Sequence, residues 1–162
     1  FMKIISHRGL VEGPDKAKEN SINEIEKNIK CFPGVLYEID IWIIENKIYL
    51  GHEIGKTFIE INHLLSLKDN LILHIKGLKH NFQTMLNKIR DNNCHYFCHD
   101  LDDFTITSLG WLWVHPNAGF IKESICVMPE KIISIKNFKV LKEKSLLGVC
   151  TDYPIKILEI FK

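Results

Sequence analysis

The sequence predicts an α/β fold, namely a compact (β/α)8-type (TIM) barrel with several short or missing helices. Short apolar, β-branched runs alternate with segments of helical periodicity, which is typical of βα units with a parallel sheet. Several runs are almost wholly apolar, as in strands buried on both faces. The chain has 162 residues, whereas a full barrel usually has about 250, so we expect loops in place of several helices. An open doubly wound sheet is the alternative, but no glycine-rich turn follows the first predicted strand.

The composition is that of one globular domain, residues 1–162, with 46% hydrophobic and 25% charged residues. The net charge of +1 gives no general attraction to nucleic acid or to anionic membranes. No apolar run approaches the ~20 residues of a membrane span, and the first residues do not resemble a signal peptide. The five cysteines form no C-x-x-C pattern. We therefore expect reduced thiols and a cytoplasmic location.

The individual elements follow from local patterns. The predicted strands are 3–7, 35–42, 47–51, 71–75, 96–98, 111–115, 124–128 and 146–151. Glu45-Asn46 separates the second and third strands and predicts a hairpin turn. Ser21 and Glu24 form a possible capping box for a first helix. Further helices are predicted at 59–67, 80–92, 136–143 and 154–161, where apolar spacing or an initial proline favours them.

The first chemically informative segment ends the first predicted strand and reads His7-Arg8-Gly9. In parallel α/β folds, the carboxyl ends of the strands line the active site. An arginine there offers a rigid fork of donors that matches phosphate geometry. Alone, however, this triplet would also fit a solvated loop.

The second strand carries two acids, Glu38 and Asp40, on one face. Carboxylates in an otherwise apolar strand are costly unless they are neutralised, and a divalent cation bound through oxygen would neutralise them. The alternative is an exposed edge strand with two solvated acids, which the apolar neighbours disfavour. The predicted hairpin returns the chain to His52, beside the end of the acidic strand.

Five motifs in order resemble the glycerophosphodiester phosphodiesterases, of the phosphatidylinositol phospholipase C-like phosphodiesterase superfamily. They are His7-Arg8-Gly9, Glu19-Asn20-Ser21, Glu38-Ile39-Asp40, Gly51-His52-Glu53 and Thr151-Asp152-Tyr153-Pro154. The resemblance implies a (β/α)8 barrel, hydrolase activity on phosphodiesters, a role in lipid metabolism and a divalent metal ion. It spans nearly the whole chain but is dense only in residues 7–53 and 148–154.

The resemblance also implies roles for single residues. His7 and His52 correspond to the catalytic acid–base pair, and Arg8 corresponds to a phosphate contact. Glu38 and Asp40 correspond to metal ligands.

By the same resemblance, Glu19 corresponds to the acid that supports the site from the first loop, and we count it with the predicted metal ligands. The third metal ligand of the family is usually a glutamate in a Glu-x-Lys pattern. Here that stretch has His74 and Lys76, which predicts an imidazole ligand and a second phosphate contact. Mg²⁺ is the first choice, with Ca²⁺, Mn²⁺ or Zn²⁺ as alternatives; imidazole suits transition metals better than calcium.

Other polar residues fall at predicted strand ends. His99, with Asp100 beside it, and His115 are predicted substrate contacts, with ordinary loop polarity as the alternative. Asp152 follows the last strand and could either belong to the site or cap the final helix. A zinc site from Cys94-His95 and Cys98-His99 is disfavoured, because on a strand the cysteines and histidines face opposite sides.

The sequence therefore predicts a metal-dependent phosphodiesterase that cleaves a small glycerol- or sugar-type phosphodiester by His/His general acid–base catalysis. One alternative is a catalytically weakened phosphoester-binding module on the same barrel. Another is lyase-type cleavage that leaves a cyclic phosphate. The expected partner is a small-molecule phosphodiester, without nucleic acid and without a membrane span, and the sequence does not predict the oligomeric state.

Overall fold

A computed structural model describes residues 2–55 and 57–161. Within these ranges the chain forms ten strands and four α-helices. The strands are β1 Lys3–Ser6, β2 Val35–Ile44, β3 Lys47–Leu50, β4 Thr57–Ile59, β5 Leu71–Lys79, β6 His95–Cys98, β7 Phe104–Ile106, β8 Leu112–Val114, β9 Ile125–Val127 and β10 Gly148–Thr151. The helices are α1 Ile22–Cys31, α2 Ile61–Ser66, α3 Gln83–Asp91 and α4 Pro154–Phe161. Short 3-10 turns cover His7–Gly9, Pro116–Ala118, Pro129–Lys131 and Ile135–Glu143.

All ten strands belong to one sheet. Its parallel strands run in the order β6-β5-β2-β1-β10-β9-β8, so the first strand pairs with the last. β3 and β4 extend β2 as an antiparallel excursion, and β7 adds an antiparallel edge to β8. Because the parallel strands share one direction, their carboxyl ends meet at the same side of the sheet.

The sheet is curled but open. No strand ladder joins β6 to β8 in residues 2–55 and 57–161, although the Ser108 amide donates to the Tyr96 carbonyl across this gap at 2.8 Å. Side chains from both sides of the gap share one inner core, where the Phe97 and Trp113 rings lie 4.6 Å apart. The predicted α/β class is confirmed, whereas a closed barrel is not.

A second, larger core lies between the sheet and its helices. Ile25 of α1, Ile89 of α3 and Ile157 of α4 are fully buried there against the strands. Phe138 fills the same layer from the Ile135–Glu143 turn. No helix in the described part of the chain has the length and apolar character needed to cross a membrane.

Most predicted elements are present, and the differences have physical reasons. The Glu45-Asn46 hairpin is confirmed, with both residues in the left-handed region at φ 49° and 57°. α3 begins at Gln83 rather than at residue 80, because His80 and Asn81 have φ of 40° and 42°, which a right-handed helix excludes. The segment predicted as helix 136–143 is a 3-10 helix, and the short edge strands β4 and β7 were not predicted.

Candidate active site

The acidic pair lies on β2, at the centre of the sheet. Glu38 and Asp40 are 2% and 1% exposed, so both carboxylates are removed from water. Their strand pairs with β1 on one side and β5 on the other, which excludes the alternative of an exposed edge strand. Uncompensated buried charge is costly, so the two carboxylates require positive charge nearby, either from basic side chains or from a bound cation.

His74 lies directly across from Asp40 in the β2–β5 ladder. Its Nδ1 is 3.1 Å from Asp40 Oδ1 and 3.3 Å from Glu38 Oε1. Burial lowers the pKa of His74, but the two carboxylates raise it more, to about 9. Burial also raises the pKa of Asp40, but His74 and Arg8 outweigh this and hold it well below its usual range. The ring of Phe97 stacks on His74 at 4.5 Å between centroids and fixes its plane.

Arg8 is held over the same acids by the tight turn after β1. Arg8 has φ 52°, and its backbone amide donates to Glu38 Oε2 at 2.9 Å. The guanidinium Nη1 donates to Glu19 at 3.2 Å, and Nε lies 3.1 Å from Asp40 Oδ2. That Nε–H is buried yet makes no hydrogen bond within the described residues. Nε therefore faces Asp40 and is closed to water, so its positive charge neutralises the buried acid.

Asn20 clamps Asp40 from the loop before α1. Its Oδ1 accepts from the Asp40 amide at 2.8 Å, and its Nδ2 donates to Asp40 Oδ2 at 3.0 Å. Asn20 itself has φ 57°, a conformation that asparagine tolerates better than most residues. The clamp fixes both the backbone and the carboxylate of Asp40, and sequence reasoning did not assign it although the Glu19-Asn20-Ser21 motif contained it.

His7 is oriented by the residue that follows the last strand. Its Nδ1 lies 2.7 Å from Asp152 Oδ1. Burial lowers the pKa of His7, but the hydrogen bond to Asp152 and the charges of Glu38 and Asp152 raise it above its usual value overall. Asp152 is 4% exposed. The sequence left open whether Asp152 belongs to the site or caps the final helix. The structure places its carboxylate in contact with His7, beside the site.

Glu130 fixes the backbone of Asp152 and so supports its contact with His7. Its carboxylate accepts from the Asp152 amide at 2.9 Å and from the Thr151 hydroxyl at 2.8 Å. Burial raises the pKa of Glu130, against the effect of these hydrogen bonds. Sequence reasoning did not identify Glu130, because its contact with β10 is non-local.

His52 approaches from the turn after β3. The Gly51 amide donates to the Asp40 carbonyl at 3.1 Å, and the Gly51 carbonyl accepts from Trp42 Nε1 at 3.0 Å. These bonds fix the turn, while the His52 side chain itself is exposed. Burial and the charge of Arg8 lower the pKa of His52, so its imidazole is neutral near pH 7.

Two further imidazoles stack at the ends of β6 and β8. The rings of His99 and His115 lie 3.5 Å apart and nearly parallel. His74 Nε2 is 3.3 Å from the His99 carbonyl, which connects this pair to the acidic group. Burial and the neighbouring His99 lower the pKa of His115 to about 4.

One cavity of about 230 Å³ brings nearly all the predicted site residues together. Its lining includes His7, Arg8, Glu38, Asp40, His52, His74, Lys76, His99 and His115. Glu19 is the exception, since it lines an adjoining groove and contacts the guanidinium of Arg8. The structure thus shows Glu19 as an ion-pair partner of Arg8, and its role as a metal ligand stays a prediction.

The donor atoms of three buried residues suit a metal ion. One ligand atom each of Glu38, Asp40 and His74 lies within 4.8 Å of the others. Two carboxylate oxygens and one imidazole nitrogen form a set that binds several divalent ions. The imidazole must be neutral to act as a ligand, so metal binding there would release a proton.

The arrangement of strands and helices is the fold of the glycerophosphodiester phosphodiesterases. The chain is similar to the crystal structure of a glycerophosphoryl diester phosphodiesterase from Parabacteroides distasonis ATCC 8503, with a TM-score of 0.63. The similarity covers 99% of this chain and 86% of that chain at 15% sequence identity. No protein-family model matches the sequence, and no curated protein does. At 15% sequence identity, this similarity shows a shared fold and nothing about activity.

Proposed function

We propose that the chain is a metal-dependent phosphodiesterase that acts on a small glycerol- or sugar-type phosphodiester. The observation that carries this proposal is the buried Glu38–Asp40–His74 group, which shares one cavity with His7 and His52. The fold shared with a phosphodiesterase supports it. A cytoplasmic location and a role in lipid metabolism remain predictions from the sequence.

Glu38, Asp40 and His74 would hold the metal ion. When bound, such an ion stabilises negative charge on phosphoryl oxygens as a Lewis acid. Mg²⁺ remains the first choice from the sequence, but the imidazole nitrogen of the donor set favours Mn²⁺ or Zn²⁺ over Ca²⁺. Asn20 fixes Asp40 and thereby holds one of the proposed ligands in place.

The two histidines would divide the proton transfers. The neutral His52 accepts a proton from the attacking oxygen, which forms the new bond to phosphorus. His7, whose pKa is raised beside Asp152, donates a proton to the departing alcohol oxygen as its bond to phosphorus breaks. Arg8 and Lys76, which both line the cavity, balance the charge on the phosphoryl oxygens.

Alanine substitutions of the two histidines test this proposal. We expect His7→Ala and His52→Ala to lose at least about 100-fold in kcat, the range of general acid–base catalysis. His63→Ala is the matched control, because His63 lies on the surface of α2 and pairs with Glu26. Each variant is assayed with added Mg²⁺, Mn²⁺, Ca²⁺ or Zn²⁺ on glycerophosphodiesters. Full activity in both site variants would refute the assignment, and turnover unaffected by chelation would refute metal dependence.

A phosphoester-binding module without turnover is the second candidate, and His74 is the observation that favours it. His74 and Arg8 already neutralise the two buried acids by ion pairs, so the group is charge-balanced by side chains alone. This candidate predicts that a phosphodiester binds, for example in calorimetry, but is not cleaved with any of the four ions.

If turnover occurs, phosphorus NMR of the products separates hydrolysis from release of a cyclic phosphate.

A further inference from the structure

Lys131 lines the same cavity as His7 and Arg8, but the proposed reaction does not use it. It ends the Pro129–Lys131 turn that follows β9. None of the ion pairs in the described residues 2–55 and 57–161 includes Lys131. Its ammonium group is therefore available to an anion in the cavity.

The turn that carries Lys131 is firmly fixed. Met128 begins it in the left-handed region at φ 47°, and the Met128 amide donates to the Cys150 carbonyl at 2.6 Å. Glu130, the middle residue of this turn, accepts two hydrogen bonds from residues at the end of β10. A non-glycine residue keeps a positive φ only where its surroundings enforce it. The backbone at Lys131 is therefore held beside the cavity by the strand end that also carries Asp152, while the Lys131 side chain is exposed.

His115 supplies a second unused polar group in this cavity. Its Nε2 is buried and has no hydrogen-bond partner in the described residues. The stacked His99 ring fixes the plane of His115, so Nε2 cannot easily turn to water. Since an unsatisfied buried polar atom costs free energy, a ligand that displaces the side chains covering Nε2 and pairs with it would remove that cost.

From Lys131 and His115 we infer a subsite for an anionic group, a phosphate or a carboxylate, on the alcohol moiety of the substrate. This inference rests on the proposed phosphodiesterase function and narrows its substrate class. The cavity of about 230 Å³ is smaller than the ~300–1,000 Å³ typical of pockets for drug-sized ligands. A short, doubly anionic diester therefore fits it better than a lipid with acyl chains. Asp100 also lines the cavity and would repel an anion placed beside it, so the subsite depends on the positive charge of Lys131.

The test compares diesters that differ only in the terminal group of one alcohol. Glycerophosphoglycerol is the neutral reference, and versions ending in a phosphate or a carboxylate are the anionic probes. Glycerophosphocholine is the cationic probe. We expect kcat/KM to be about 10-fold or more higher for an anionic probe than for the reference, as for a hydrogen bond to a charged group. The two anionic probes separate phosphate from carboxylate as the preferred group.

Substitutions then assign the preference to Lys131. We expect Lys131→Gln to remove the preference by raising KM for the anionic probe, with little change for glycerophosphoglycerol. Lys131→Arg should retain it, and Lys139→Gln is the control on an exposed lysine of the neighbouring 3-10 helix. Thermal unfolding of each variant shows whether the fold is intact. Equal kcat/KM for all probes, or a preference that survives in Lys131→Gln, would overturn the inference, whereas no turnover of any diester would overturn the proposed function instead.

Discussion

Replacing Asp152 with asparagine keeps the shape of the side chain but removes the negative charge 2.7 Å from His7 Nδ1. A hydrogen bond to a charged group contributes about 1.5–3 kcal/mol. If all of it acts in the transition state, kcat/KM falls about 10- to 150-fold. Burial is the largest influence on the pKa of His7 and lowers it, while Asp152 raises it. Asp152→Asn should therefore move the pKa of His7 downward.

The assay is the pH dependence of kcat/KM, with an NMR titration of the His7 ring as a readout independent of turnover. We expect the limb of the profile that reports His7 to shift to lower pH in Asp152→Asn. Asp69→Asn is the matched control, because Asp69 is an exposed acid outside the site. If the variant keeps the original kcat/KM and an unshifted limb, Asp152 does not act through His7 and the reasoning fails.

The remaining predictions concern stability and metal affinity. Burial and the charge of Lys3 lower the pKa of His95 to about 4 from 6.5, so between these pH values the unfolded chain binds a proton that the folded chain does not. The free energy of unfolding should therefore decrease by up to ~3 kcal/mol as pH falls through this window. In urea titrations, His95→Phe should show a smaller decrease than the unaltered protein. An equal decrease in both would contradict the role of His95. Asn20→Gly keeps a backbone suited to φ 57° but removes the clamp on Asp40, so calorimetry with Mn²⁺ should show about 10- to 100-fold weaker binding. Asn93→Gly is the matched control, because Asn93 has φ 55° and lies on the surface, and it should leave the Mn²⁺ affinity unchanged. Loss of Mn²⁺ affinity in both variants would refute the role of Asn20 as a clamp on Asp40.

Local sequence patterns predicted the elements that depend on local interactions. The apolar run of β2 and the Glu45-Asn46 turn specify a hairpin by themselves. The edge strands β4 and β7 have three residues each and form because a partner strand is adjacent, which no local pattern reveals. The 3-10 helix Ile135–Glu143 had a readable signal: Ile135, Phe138 and Leu141 recur every three residues, the period of a 3-10 helix.

The same distinction applies to the site. His7 was predicted from a motif at a strand end, and Glu38 from its place among apolar residues of one strand. The partners of these residues were harder to find. The contact of Asp152 with His7 requires β10 to pair with β1, and the clamp of Asn20 on Asp40 requires a loop to fold back onto β2. Both depend on distant segments, for which the sequence carries no periodic signal.

The position of β1 between β2 and β10 has a consequence for folding. The acidic pair reaches the cavity from the early part of the chain, while the carboxylate that orients His7 arrives only with the last strand. A nascent or truncated chain that ends before Gly148 would contain Glu38, Asp40 and His74 but would leave one edge of β1 unpaired. Recovery of the proposed phosphodiesterase activity during refolding should therefore report the docking of β10.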